Sequence, residues 1–314
     1  MNLHHNEEVF QELVELAAKQ YSIPSSAVRK DYFITLILSY LADSSYVEDV
    51  VFKGGTSLSK CYPGSIERFS EDIDLTYIPN GRMSNNQISK RLKLIEKTLI
   101  GPGRFEEVGA ERTDRNKSSY VWFNDDFMVS ERIKLEIGSS VRPHPYSKKG
   151  LQSYIHDYLN YIDEIEAIEE FQLKRVHVNA LNIERTFVDK LMSVKRHSIC
   201  GTLQNKVRHI YDVVKLSEME EIEKFLNDKE NLKDIIQLTK QTDSIYLEKR
   251  DIPEAYNPVG SYDFECWKDK FTSGIKASYE DLHNTLLYTD QKQDWTKVEL
   301  VFENISLILK GIDE

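Results

Sequence analysis

The sequence predicts an α+β protein in which a mixed sheet carries the chemistry and a helical second domain follows. Three observations predict it. Strand-like alternation interleaves with short helices up to about residue 180, nearly every periodic stretch after Asn182 is helical, and VVFKGGTSLSKCYPGSIERFSEDIDLTY (50–77) reads strand, glycine turn, helix, then a strand bearing two aspartates. At 314 residues and 40% hydrophobic, the chain can bury a sizeable core, and its length suits two domains, expected at 1–180 and 181–314.

The elements follow in order. EVFQELVELAAKQY (8–21) is an amphipathic helix, and DYFITLILSYLA (31–42) is apolar on most sides, as a buried helix would be. The two form a lead-in that supports the sheet. A strand is expected at about 49–53, a turn at Gly54-Gly55, a helix from Thr56 to about Cys61 and a strand at about 72–77. SNNQISKRLKLIEKTLI (84–100) is a helix with Ser84 as N-cap and Gly101-Pro102-Gly103 as its breaker. Strand-like FEEVGAER (105–112), SYVWFN (119–124) and RIKLEIG (132–138) add hairpins, so the sheet is mixed. A short helix at 151–162 and a strand at 172–180 complete the first domain. Helices at 183–197, 205–217, 218–228, 231–241, 275–288 and 296–310 make the second, with an irregular link at 251–261 that holds two prolines and a glycine.

Composition narrows the function classes. The start MNLHHNEE lacks the basic and apolar blocks of a signal peptide, and ITLILSYLA (34–42) falls far short of a bilayer span, so a cytoplasmic protein is expected, with no membrane partner. Cys61, Cys200 and Cys266 are odd in number and far apart, which fits neither a disulfide framework nor a metal-ligand spacing. The net charge of −11 rules out a uniformly positive surface. Residues 174–215 nevertheless hold nine Lys/Arg against three Asp/Glu, whereas 216–314 hold twelve against twenty-two. The basic segment is either a place for phosphates to land or a solvated helical face.

The aspartate strand carries the chemistry. Residues i and i+2 of a strand share a face, so Asp72 and Asp74 stand side by side, roughly 6–7 Å apart at the backbone. Two acids that close need a cation, and oxygen ligands alone suit Mg²⁺ or Mn²⁺. Two such ions, about 3.5–4 Å apart, serve the attacking and leaving oxygens of phosphoryl transfer. Glu136 in RIKLEIG is a third acid if that strand neighbours the first, and it shares a face with Lys134. The helix after Gly54-Gly55 presents its first N–H groups to an anion, with the Thr56 and Ser57 hydroxyls as further donors. No G-x-x-x-x-G-K-[ST] phosphate loop is present, and the acid pair lacks the glycine and distal glutamate of an EF-hand.

The order KDYF…VFKGGTSLSK…RFSEDIDL…KLEI resembles the DNA polymerase β-like nucleotidyltransferase superfamily, and within it the AbiEii/AbiGii (MenT-like) toxin branch. ERTFVDKLMSV and RHIYDVVKL extend the likeness, the latter with His209 where the branch often has Asp and Val213 where it often has Leu. The match covers 31–216 in scattered blocks, and the last hundred residues match only in being helical. The resemblance implies a polymerase β-like nucleotidyltransferase domain with a helical domain completing its cleft. It implies that Asp72 and Asp74 bind metal with Glu136, that Ser70 supports the nucleotide phosphates, that Lys190 neutralises triphosphate charge and that Asp212 completes the catalytic set. Lys53 and Arg208 join Gly54, Gly55, Thr56 and Ser57 as nucleotide-binding candidates. On residues alone, Lys190 and Asp212 fit a structural salt bridge equally well. The implied function is an NTP-consuming toxin that adds nucleotides to an acceptor, the tRNA 3′ end in MenT-like members, and is opposed by an AbiEi-type antitoxin. Transfer to a protein or small-molecule hydroxyl, and an inactive nucleotide-binding module, are the alternatives.

Overall fold

A computed structural model describes residues 1–70, 72–124, 132–247, 262–292 and 294–313. The chain divides into two compact units, the first comprising 1–62 with 69–181 and the second 63–68 with 182–314.

The first unit is a seven-stranded mixed sheet with helices. Its helices α1 (Glu7–Tyr21) and α2 (Ser25–Ala42) precede β1 (Val50–Lys53), α3 (Gly54–Cys61), β2 (Ile73–Tyr77) and α4 (Asn85–Ile100). Then come β3 (Arg104–Glu107), β4 (Asn116–Trp122), β5 (Ile133–Gly138), β6 (Tyr146–Leu151), α5 (Tyr154–Tyr161), α6 (Ile165–Glu170) and β7 (Val176–Leu181). The strand order is β3-β4-β5-β2-β1-β7-β6. The central strands β1, β2 and β5 read Val-Val-Phe, Ile-Asp-Leu and Ile-Lys-Leu-Glu-Ile because their apolar side chains enter the core. Val50, Val51, Phe52, Ile73, Leu75, Ile133, Leu135 and Ile137 are all buried. Each contributes roughly 1.5–3 kcal/mol through burial. Helix α2 is buried without a break over residues 31–39, which explains an apolar run with little amphipathic pattern. Ser84 caps α4 in a reciprocal box with Gln87.

Three details depart from the sequence reading. Tyr146–Leu151 forms an edge strand beside β7 where no strand is expected, because YSKKGL buries only Leu151 and so shows no apolar alternation. The helix expected from 151 therefore begins at Tyr154, where the Ser153 hydroxyl accepts the His156 N–H. The strand expected at 105–112 is only the exposed β3, followed by a 3₁₀ turn at Gly109–Glu111.

The second unit is helical: α7 (Ile183–Ile199), α8 (Val207–Ser217), α9 (Glu220–Asn227), α10 (Lys229–Leu247), α11 (Ser273–Thr285) and α12 (Trp295–Asp313). Segment 63–68 belongs to it. The Tyr211 hydroxyl accepts the Glu67 N–H at 3.2 Å, the Tyr288 N–H donates to the Glu67 carbonyl at 3.1 Å, and the Tyr288 hydroxyl donates to the Ile66 carbonyl. The irregular link expected at 251–261 lies outside the described residues. No described helix is long and apolar enough to cross a membrane.

Candidate active site

In the first unit the site is built on the turn between β1 and α3. Lys53 is extended (φ −143°), and Gly54 then takes φ +85° to start the helix. An L side chain is strained there, and the space is also closed: a Cβ on Gly54 would lie 2.5 Å from Asp74 Oδ2. The glycine is thus required by its dihedral and by the acid beside it. Thr56 and Ser57 are buried, and their hydroxyls are engaged within the protein, Thr56 donating to Ser70 Oγ at 3.0 Å and Ser57 to the Gly54 carbonyl at 3.0 Å. These bonds fix the turn and Ser70 against each other. What remains for an anion is the set of first-turn N–H groups that a helix cannot pair internally.

Sheet register sets the acids. Lys53 lies opposite Asp74 on β1, and Glu136 is paired with Asp74 on the parallel neighbour β5. The third acid is therefore beside the second, as the reading of RIKLEIG requires. Asp72 lies one residue ahead of β2, and Asp72 and Asp74 are both half-buried. No described residue hydrogen-bonds or ion-pairs with the Asp74 carboxylate. Glu136 is differently placed: Lys134 Nζ lies 2.5 Å from its carboxylate and 2.8 Å from Glu111. Burial alone would lower the Lys134 ammonium, yet hydrogen bonds to Glu111 and Glu136 outweigh it and hold lysine above its ordinary value. Among the described residues no three His, Cys, Asp or Glu side chains converge on one point. The donor set still fits a hard divalent cation. Asp74 offers a carboxylate without a described partner beside a turn cleared of side chain, Asp72 lies two residues before it, and both supply oxygen only.

In the second unit the structure joins Lys190 of α7 to Asp212 of α8, with Nζ 2.6 Å from Oδ2. It adds a residue that the sequence reading left without a role. Arg68 grips the same carboxylate with two bonds, Nε to Oδ1 at 2.7 Å and Nη2 to Oδ2 at 2.7 Å. Asp212 is 0% exposed and Arg68 3%. Burial would raise the Asp212 carboxyl, but Arg68 and then Lys190 outweigh it and hold it well below the usual carboxylate range. His209 Nδ1 lies 3.0 Å from Ser193 Oγ, and burial, then Lys190, pushes its imidazole well below the ordinary histidine value. Arg208, one residue before, is exposed and does not join this group. Arg68 was visible only as the first letter of R-F-S, and nothing local in the sequence marks an arginine that will be buried.

A family model described as the nucleotidyl transferase AbiEii toxin of type IV toxin–antitoxin systems matches residues 36–298. The chain belongs to the AbiEii family. It is accordingly a nucleotidyltransferase toxin that uses an NTP and is paired with an antitoxin. No curated protein matches the chain. Among solved structures it is similar to MenT4, a nucleotidyltransferase toxin of Mycobacterium tuberculosis H37Rv, at 16% identity over 95% of this chain and 98% of that one, with a TM-score of 0.48. JHP933 of Helicobacter pylori matches at 19% identity over 83% and 95%, TM-score 0.39. A putative nucleotidyltransferase of H. pylori matches at 17% over 93% and 100%, TM-score 0.42.

Proposed function

We propose that this AbiEii-family toxin transfers a nucleoside monophosphate from an NTP to the hydroxyl of a tRNA 3′ end in the cytoplasm, under the control of an AbiEi-type antitoxin. The acceptor oxygen bonds to the α-phosphorus, the bond to the β-phosphate oxygen breaks, and pyrophosphate leaves with the electron pair. Asp72 and Asp74 would hold magnesium or manganese, which would supply neutralisation of the charge that develops during transfer. Glu136, in register with Asp74, joins these two as ligand or takes the acceptor proton on its carboxylate once it parts from Lys134. Gly54, Gly55, Lys53 and the first turn of α3 bind the phosphates, and Thr56 orients Ser70 toward the same task. Lys190, held by Asp212, meets triphosphate charge, and exposed Arg208 is available to the nucleotide or the acceptor.

The observation that carries this reading is the Asp74 carboxylate, without a hydrogen-bond or ion-pair partner among the described residues, against the left-handed Gly54. The test is to incubate the protein and its Asp72→Ala variant with Mg²⁺, each α-labelled NTP and total cellular RNA plus protein. Label on tRNA-sized RNA that disappears in the variant is the expected result. Label on protein or a small product would replace the acceptor, and no label with any NTP would overturn transfer.

A further inference from the structure

We infer that Arg68 is a positioning residue for the transfer reaction: its guanidinium clamps Asp212 so that this carboxylate holds the Lys190 ammonium in one place, and neither Arg68 nor Asp212 touches metal or substrate. The inference rests on the proposed role of Lys190 at the triphosphate.

Asp212 has no oxygen to spare. Oδ1 accepts Arg68 Nε, and Oδ2 accepts both Arg68 Nη2 and Lys190 Nζ. With no exposed surface it is closed to a metal ion, and between two cations it is a poor proton acceptor. What it does instead follows from the shapes of its partners. A lysine ammonium is a point charge on a flexible four-carbon stem, so a single contact with a mobile carboxylate would not fix it. A guanidinium fork bonded to both oxygens sets the plane and direction of the carboxylate, and through it the ammonium.

The fork is itself anchored. Its backbone bridges to Leu287, and the neighbouring Glu67 N–H is held by the hydroxyl of Tyr211, the residue adjacent to Asp212 on α8. Arginine, aspartate and their two backbones therefore form one fixed frame for Lys190 within the second unit. Stability alone does not account for it, because buried ion pairs seldom outperform apolar side chains of similar volume.

The test measures equilibrium binding of a non-hydrolysable NTP analogue to the full chain by calorimetry, with the Mg²⁺ half-saturation of transfer and a thermal melt alongside. Arg68→Lys keeps the charge and loses the fork, and it is expected to weaken the analogue roughly tenfold without moving the Mg²⁺ half-saturation. Combined with Lys190→Met it is expected to add nothing to the effect of Lys190→Met alone. Analogue binding equal to the parent protein, additive losses in the double variant, or a shifted Mg²⁺ half-saturation would each overturn the inference. Should Arg68→Lys not fold, the charge-balanced pair Arg68→Gln with Asp212→Asn carries the same expectation, and parent-like affinity there overturns it. If Lys190→Met binds the analogue as tightly as the parent, the reading of Lys190 itself fails and takes this one with it, an outcome distinguished by the single variant.

Discussion

Asp74 and Asp212 are the same side chain in opposite circumstances. Asp74 lies half-buried in a strand with no described partner, beside a glycine that leaves it room, whereas Asp212 is sealed in helical packing with both oxygens taken by cations. The contrast separates a carboxylate kept available from one spent on structure. An acid without a partner among the described residues has lone pairs open to a ligand, and an acid fully engaged inside can act only through the groups it holds.

Mutation can break that contrast most directly at Asp74. Asp74→Ala should reduce transfer on the order of 100- to 1000-fold or more while the melting temperature barely moves, since no described bond is lost. Asp212→Ala should do the reverse in kind. Leaving Arg68 and Lys190 buried without their anion is expected to cost about 3–5 kcal/mol, read by chemical denaturation, and activity should fall further than the folded fraction because Lys190 loses the carboxylate that holds it. Gly54→Ala joins both effects: a strained left-handed backbone costs about 1–3 kcal/mol, and its methyl meets the Asp74 carboxylate, so labelled transfer and melting should both drop.

Acid sharpens the comparison further. Folded His209 takes up a proton less readily than an unfolded histidine, so its contribution is complete above about pH 6.5 and declines as the pH falls below that value. Asp212 has a depressed folded value, so its stabilisation persists down to about pH 3.9 and is lost only in stronger acid. Denaturation midpoints between pH 7.5 and 5 should therefore decline in the parent and flatten in His209→Gln. The smallest effect is expected at Glu136→Gln, where a neutral amide keeps a hydrogen bond to Lys134. Transfer should fall less than in Asp74→Ala and stability by no more than about 1 kcal/mol, measured in the same assays.

How much of this was legible beforehand follows from the range of each interaction. The two-residue period of D-I-D-L reads directly as a shared face, and S-N-N-Q reads as a capped helix start, because both depend on neighbours within four residues. That β5 would lie beside β2 was a condition of the Glu136 reading, and only the sheet register supplies it. Lys134, its ion-pair partner, was visible in the same strand, but its link to Glu111 was not, since Glu111 sits in a turn twenty-three residues earlier. Edge strand β6 is not legible in the sequence because one buried leucine leaves no alternation. Arg68 is illegible for a different reason. Its partner is 144 residues away, and a buried arginine is spelled like any exposed one.

Gly54 also has a genetic consequence. Substitutions at most positions of a toxin are absorbed by repacking, but here the backbone angle is one that other side chains rarely adopt, and an added Cβ would displace the Asp74 carboxylate in front of it. Cells forced to survive expression of this chain without its antidote should carry replacements at that codon far more often than chance allows, making it a hot spot for escape.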